Sequence, residues 1–105
     1  MYGEALKGHL DLLLLSVLAE GPAHGYAVIE SLRCRSDGAF DLPEGTVYPA
    51  LHRLEKDGLL SSDWSDEAPR RRRVYRITLK GEQTLENRRQ EWRRFSNAID
   101  ATVGS

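Results

Sequence analysis

Apolar residues recur along this chain with two different periods, and each change of period marks a boundary. From Glu4 to Glu20 they stand at helical spacing: Leu6, Leu10, Leu13, Leu14, Val17 and Leu18 form one stripe, and Leu12 and Leu15 widen it. A helix this apolar around its circumference buries two sides, one in its own core and one elsewhere. Gly21-Pro22 ends it. A second helix is predicted from His24 to about Arg35, with Tyr26, Ile29 and Leu32 at core spacing. A turn at Ser36-Asp37-Gly38 follows, then a short extended link from which Phe40 and Leu42 pack. The third helix begins near Glu44, with Val47, Ala50, Leu51 and Leu54 on one face and Gly58 as its terminator. Pro49 lacks an amide donor and belongs in a first turn, so this helix either starts later than Glu44 or bends near its start.

The period then shortens to two. Leu59 to Trp64 reads as a strand with Leu60 and Trp64 on a common face, Ser65 to Pro69 as a turn, and Arg72 to Ile77 as the returning strand. Thr78 is the expected N-cap of a final helix, with Leu79 packing at its entrance. Leu85, Trp92, Phe95 and Ile99 continue at intervals of seven, three and four, a narrow seam flanked by arginine and glutamate and interrupted by Arg88. The last few residues are expected to fray. The fold class is therefore mostly α with a small β-hairpin: a winged helix-turn-helix over 1–78, joined in one compact unit to a C-terminal dimerisation helix over 79–105.

Composition narrows the function. The 105 residues are 40% hydrophobic and 30% charged, which suits one globular domain whose small core a dimer would extend. A net charge of −1 and a pI of about 6.3 give no global bias toward nucleic acid. The placement of charge is more telling, because arginines run unbroken from 70 to 73 just after Asp63, Asp66 and Glu67. Arginine suits bidentate phosphate or guanine contacts better than lysine does. The lone Cys34 allows no internal disulfide, and His9, His24 and His52 are too dispersed for a metal set. Ser16, Ser31, Ser36 and the carboxylates join no histidine in a catalytic arrangement, so no enzyme and no cofactor are expected. The run Leu12 to Leu15 falls far short of the roughly 20 apolar residues a membrane span needs, and no secretory signal is recognisable. A cytoplasmic setting follows.

Away from the Val47–Leu51–Leu54 face, the third helix turns Gly45, Thr46, Pro49, His52, Arg53 and Lys56 outward, with Tyr48 on one flank. These are small near the N-terminus and cationic or hydrogen-bonding beyond it, a face that suits a major groove about 12 Å wide. An upstream supporting helix and a downstream basic hairpin make the set more specific than any one part.

In that order, His24-Gly25-Tyr26, the run from Gly45 to Glu55, Gly58-Leu59-Leu60, Trp64, Arg72-Arg73-Val74-Tyr75 and Thr78-Leu79-Lys80-Gly81 resemble the PadR family of bacterial transcriptional regulators. The resemblance runs from Leu6 to about Ile99, and the single short C-terminal helix is similar to the family's smaller subgroup. It implies a homodimer, with Leu6, Leu10, Leu85, Trp92, Phe95 and Ile99 at the interface, that represses by occupying an inverted-repeat operator until a small molecule relieves it. Carried over by residue, Thr46, Tyr48, Pro49, His52 and Arg53 contact DNA from the recognition helix, and Arg71, Arg72 and Arg73 contact it from the wing. Arg70 pairs instead with Asp66 or Glu67. Tyr26 either reaches a phosphate or fills the core between the second and third helices. Trp92 and Phe95 either stack on a flat aromatic effector, as the resemblance implies, or simply close the dimer seam. The alternative from another class is a winged-helix protein–protein adaptor without DNA binding, supported only by the near-neutral net charge.

Overall fold

Among the residues that the computed structural model describes, 3–66 and 71–104, this periodicity becomes five helices and one three-stranded antiparallel sheet. The predicted first helix is two helices, α1 (Gly3–Lys7) and α2 (Leu10–Leu18). Glycine is a poor helix former, and the break falls at Gly8-His9, where His9 has φ −124 and ψ 0. The Gly8 carbonyl freed there accepts from the Arg88 guanidinium at 2.7 Å. The residue that interrupts the seam thus ties the last helix back to the α1–α2 joint.

Next come β1 (Ala23–His24), α3 (Gly25–Arg35), α4 (Glu44–Lys56), β2 (Leu60–Ser65), β3 (Arg72–Ile77) and α5 (Leu79–Val103). The sheet order is β1-β3-β2, so the basic returning strand lies in the middle. β1 is an addition to the predicted hairpin: Ala23 pairs with Tyr75 and His24 with Val74. Two residues are too few to show a period, and a sequence cannot announce such a strand.

The core collects Leu14, Leu15 and Leu18 of α2, Val28 and Leu32 of α3, Val47, Leu51 and Leu54 of α4, and Leu60, Tyr75 and Leu85. Full burial of each aliphatic side chain contributes about 1.5–3 kcal/mol. Phe40 and Leu42 pack against this cluster as expected. Tyr26 does not: it is 57% exposed, because the buried stripe of α3 runs through Gly25, Val28, Ile29 and Leu32, and Tyr26 stands a quarter-turn outside it. Leu79 is 79% exposed, and the α5 entrance is closed instead by Leu59 and Ile77. Helix α4 starts at Glu44 with Pro43 as its N-cap and continues through Pro49. Pro49 is exposed, so the Gly45 carbonyl that loses its amide partner faces outward rather than into the core.

The end of α4 is closed twice. Gly58 adopts φ 82, its amide donates to Glu55 at 3.0 Å, and the Leu59 amide donates to Leu54 at 2.9 Å, the crossed pair of a Schellman motif. The start of α5 then grips the same turn. The Thr78 hydroxyl donates to the Gly58 carbonyl at 2.7 Å and accepts from the Gly81 amide at 3.0 Å, while Lys80 donates to the Asp57 carbonyl at 3.0 Å. Gly81 lies so close that a Cβ there would overlap the Leu59 carbonyl oxygen and crowd Ile77.

From this junction α5 runs for 25 residues, roughly 37 Å at about 1.5 Å per residue. It ends in Gly104 at φ 74, so the helix persists where the sequence predicts fraying. Gly81→Ala is expected to destabilise the chain by about 1–3 kcal/mol through overpacking against backbone. Gly8→Ala, which meets nothing within 4 Å, is expected to destabilise it far less. Thermal unfolding of the two variants side by side checks both.

Candidate nucleic-acid interface

The outer face of α4, the first turn of α3 and the wing strands enclose an open cleft of about 540 Å³. Its floor is set by Gly25: the Tyr48 ring lies directly on it, and a Cβ at that position would overlap the ring. This explains a glycine at the first position of a helix, where it otherwise weakens the element. Tyr48 is thereby held between α3 and α4, half-buried, with His52 exposed one turn further along. The His52 ring is 6.5 Å from Tyr75, whose phenol is pushed up by burial and then by the charge of Glu55. Pro49 is exposed and Thr46 half-buried on the same helix. Tyr26 stands at the lip of the cleft, which removes the core alternative for it.

The wing arginines divide by strand face. Trp64 pairs with Arg73 across the hairpin, and the Arg71 and Arg73 guanidinium groups lie 5.1 and 5.3 Å from its ring centre. Trp64 therefore shares a face with Leu60, as expected, yet is 54% exposed because it serves the arginines and not the core. Arg73 also donates to Ser62 at 2.8 Å; Ser62 donates to Glu55 at 2.6 Å, and Arg73 lies 3.7 Å from the same carboxylate. That network fastens the wing to α4 and leaves Arg73 partly engaged. Arg71 is freer, with an exposed pairing to Asp66 at 3.4 Å that contributes little in water. Arg72 lies on the opposite strand face, 2.8 Å from the Nε2 of His24. The pairing expected of Arg70 lies outside the described residues, as does Glu67; Arg71 takes Asp66.

Arg53 departs from the open cleft. It lies on the flank of α4 nearest α2 and forms an ion pair with Asp11. His24, absent from the expected site, lines the cleft and caps α3, its Nδ1 accepting from the Ala27 amide at 3.2 Å. Burial, then the charge of Arg72, lowers the basicity of its ring. The sequence signal was a histidine just before a helical glycine, a position where Ser, Thr, Asp or Asn is the usual cap. Glu44 is the one carboxylate among the described residues lining this cleft, so donors and cations dominate it. Chemically the arrangement suits a polyanion.

On the other side of the molecule α5 carries a bare apolar stripe. Leu85 is 2% exposed, so it belongs to this chain's own core and not to the free seam. The stripe begins with Trp92 and Phe95, whose ring centres are 6.1 Å apart, and continues through Ile99 to Val103. His9 meets Trp92 edge-on at 5.0 Å. Leu10 packs against the core, while Leu6, Leu13, Phe40 and Trp92 border an apolar hollow of about 320 Å³ from which Phe95 is absent. Among the described residues no cluster of metal-binding side chains occurs, and no helix is long and apolar enough to cross a membrane.

Comparison with known proteins agrees with this fold. The model of the PadR-like family of transcriptional regulators matches residues 14–87. The chain is 42% identical over 87 residues to transcriptional regulator Rv3488 of Mycobacterium tuberculosis, covering 82% of this chain and 78% of that protein. Its fold is similar to that of a transcriptional regulator from Clostridium thermocellum, with a TM-score of 0.88 at 33% identity over 95% of this chain and 98% of the other. A PadR family regulator from Eggerthella lenta gives a TM-score of 0.83 at 34% identity over 98% and 88% of the two chains.

Because the folded His24 ring is a weaker base than the unfolded one, its neutral-ring contribution to stability is full above the unfolded pKa of about 6.5. It is lost as pH falls toward the lowered folded value. His24→Asn, which caps without titrating, should flatten that part of the stability profile; thermal midpoints across the pH range measure it. Gly25→Ala should displace the Tyr48 ring and alter the cleft more than the fold, visible as Tyr48 chemical-shift changes with a largely preserved melting transition.

Proposed function

This chain belongs to the PadR-like family of transcriptional regulators, and we propose that it acts as a dimeric, sequence-specific repressor that a small effector releases from an inverted-repeat operator. Its family is one of regulators, and the chain is not an enzyme. The observation that carries the reading is the cleft in which Tyr48 and His52 of α4 face Arg71 and Arg72 of the wing. Residues 1–78 serve as the DNA-binding unit and 79–105 as the dimerisation arm, in a reduced cytoplasmic compartment consistent with an exposed free Cys34.

In this reading α4 enters a major groove. Thr46, Tyr48, Pro49 and His52 approach base edges and flanking phosphates, Tyr26 takes a phosphate at the lip, and Arg71 and Arg72 follow the backbone alongside. Arg73 positions the wing through Glu55 and contributes its remaining charge to the same field. Arg53 reaches DNA only by exchanging Asp11 for a phosphate or base. Net charge of −1 is a weak argument for an adaptor, because the cleft itself sets three arginines against one carboxylate among the described residues.

The bare stripe of Trp92, Phe95, Ile99 and Val103 supports association through α5, since four large apolar side chains on one helical face are unfavourable to leave in water. A two-fold axis there would set the two α4 helices for grooves one turn, roughly 34 Å, apart. The hollow beside Trp92 supports a flat aromatic effector, whose insertion would change the packing of α5 on α1 and α2.

Arg71→Ala with Arg72→Ala should weaken binding to all duplexes and reduce the slope of log K against log salt by about 0.9 for each phosphate that is no longer neutralised. Tyr48→Ala or His52→Ala should change sequence preference as well; fluorescence anisotropy against the chain's own upstream DNA and a scrambled duplex separates the two effects. Phe95→Asp should shift sedimentation toward monomer while leaving the monomer fold intact, and unchanged sedimentation would remove α5 from the interface.

A further inference from the structure

The imidazole of His24 faces two N–H donors at once. The Ala27 amide points at Nδ1 at 3.2 Å, and the Arg72 Nη1 lies 2.8 Å from Nε2. A neutral imidazole has one accepting nitrogen and one N–H, its protonated form accepts nothing, and arginine only donates. One of the two contacts must therefore oppose two donors. Keeping the α3 cap requires the proton on Nε2, and then Nε2–H and the Arg72 guanidinium are two donors 2.8 Å apart beside the cleft.

One acceptor that reaches both donors would relieve the opposition. We propose that His24 and Arg72 form a phosphate-binding pair, in which one DNA phosphate oxygen accepts from both Nε2–H and the guanidinium while Nδ1 keeps the Ala27 amide. The proposal rests on the DNA-binding reading above, and adds to it a residue outside the expected contacts and a reason for its tautomer. Its surroundings agree. Burial and Arg72 both favour the neutral ring that the cap requires. The first turn of the eleven-residue α3 directs the positive end of its dipole to the same side. Asp63, in the same cross-strand row as Val74 and His24, pairs with Arg76 at 3.9 Å, while Glu44 and Arg71 stand elsewhere around the cleft. In the free protein the wing and α3 compete for one ring; a phosphate satisfies both and locks the wing against α3.

The test uses the full chain with two labelled duplexes, its own upstream DNA and a scrambled sequence, followed by anisotropy. His24→Ser keeps a capping oxygen but is too short to reach the shared phosphate oxygen. It should melt close to the parent and bind both duplexes about tenfold more weakly, since a phosphate contact carries no sequence information. Arg72→Ala should weaken binding by a similar factor, and the double variant by less than the product of the two, because one phosphate is shared. Ring ¹⁵N shifts in the complex should show a protonated Nε2 and an accepting Nδ1. Parent-like affinity of His24→Ser, or a ring that carries its proton on Nδ1 in the complex, overturns the phosphate pair. A parent chain that binds neither duplex overturns the DNA-binding reading and the pair together, whereas parent binding with an indifferent His24→Ser overturns the pair alone.

Discussion

One hydroxyl holds the working parts of this molecule in register. Thr78 Oγ1 donates to the carbonyl that follows α4 and accepts from an amide in the first turn of α5, while the Thr78 backbone amide binds Leu59 at the start of the wing. Helix α4, the wing and α5 therefore meet at one short junction. Gly81 makes the meeting possible, since any side chain there would occupy the space of the Leu59 carbonyl. So tight a junction would pass a rotation of α5 on to α4 and the wing. In a dimer joined through α5, that is how packing at one end of the molecule would set the separation of two recognition helices.

A second strap acts further along. Arg88 directs its guanidinium to the Gly8 carbonyl and thereby ties α5 to the joint between α1 and α2. Asp11, early in α2, binds Arg53 of α4. The helices bordering the hollow at Trp92 thus connect to α4 by two polar links in series, the strap to the α1–α2 joint and the ion pair onward. Both are exposed or half-exposed contacts of modest strength, suited to rearrangement and not to stability. Stability resides in the leucine-rich cluster beneath them, which has no buried side-chain polar atom without a partner among the described residues.

Much of this was legible in advance. The stripes of α3, α4 and the body of α2 follow from spacing, and Thr78 and Gly58 act as the cap and terminator their residue types indicate. The order of two helices followed by a basic hairpin was equally plain. Readings that failed did so for local reasons. Period alone could not place Tyr26, because Gly25 and not Tyr26 holds the buried position of its turn. Leu85 continued the heptad of the seam, yet burial in its own core removed it from the free face. The break at Gly8 was masked by apolar residues that continue in phase on either side of it.

By itself the sequence determined the longer helices, the hairpin, their order and the chemistry of most faces, because these depend on periodicity, caps and the position of charge along the chain. Tertiary structure alone decided which arginines are free. Four consecutive cations look equivalent in a sequence, but strand alternation sends Arg72 to His24 and Arg73 to Glu55, and stacks Arg71 on Trp64. It likewise decided that a histidine before a glycine meets the wing across 48 positions of chain. Such pairings are set by how β1 docks beside β3, and a two-residue strand leaves no periodic trace from which that docking could be read.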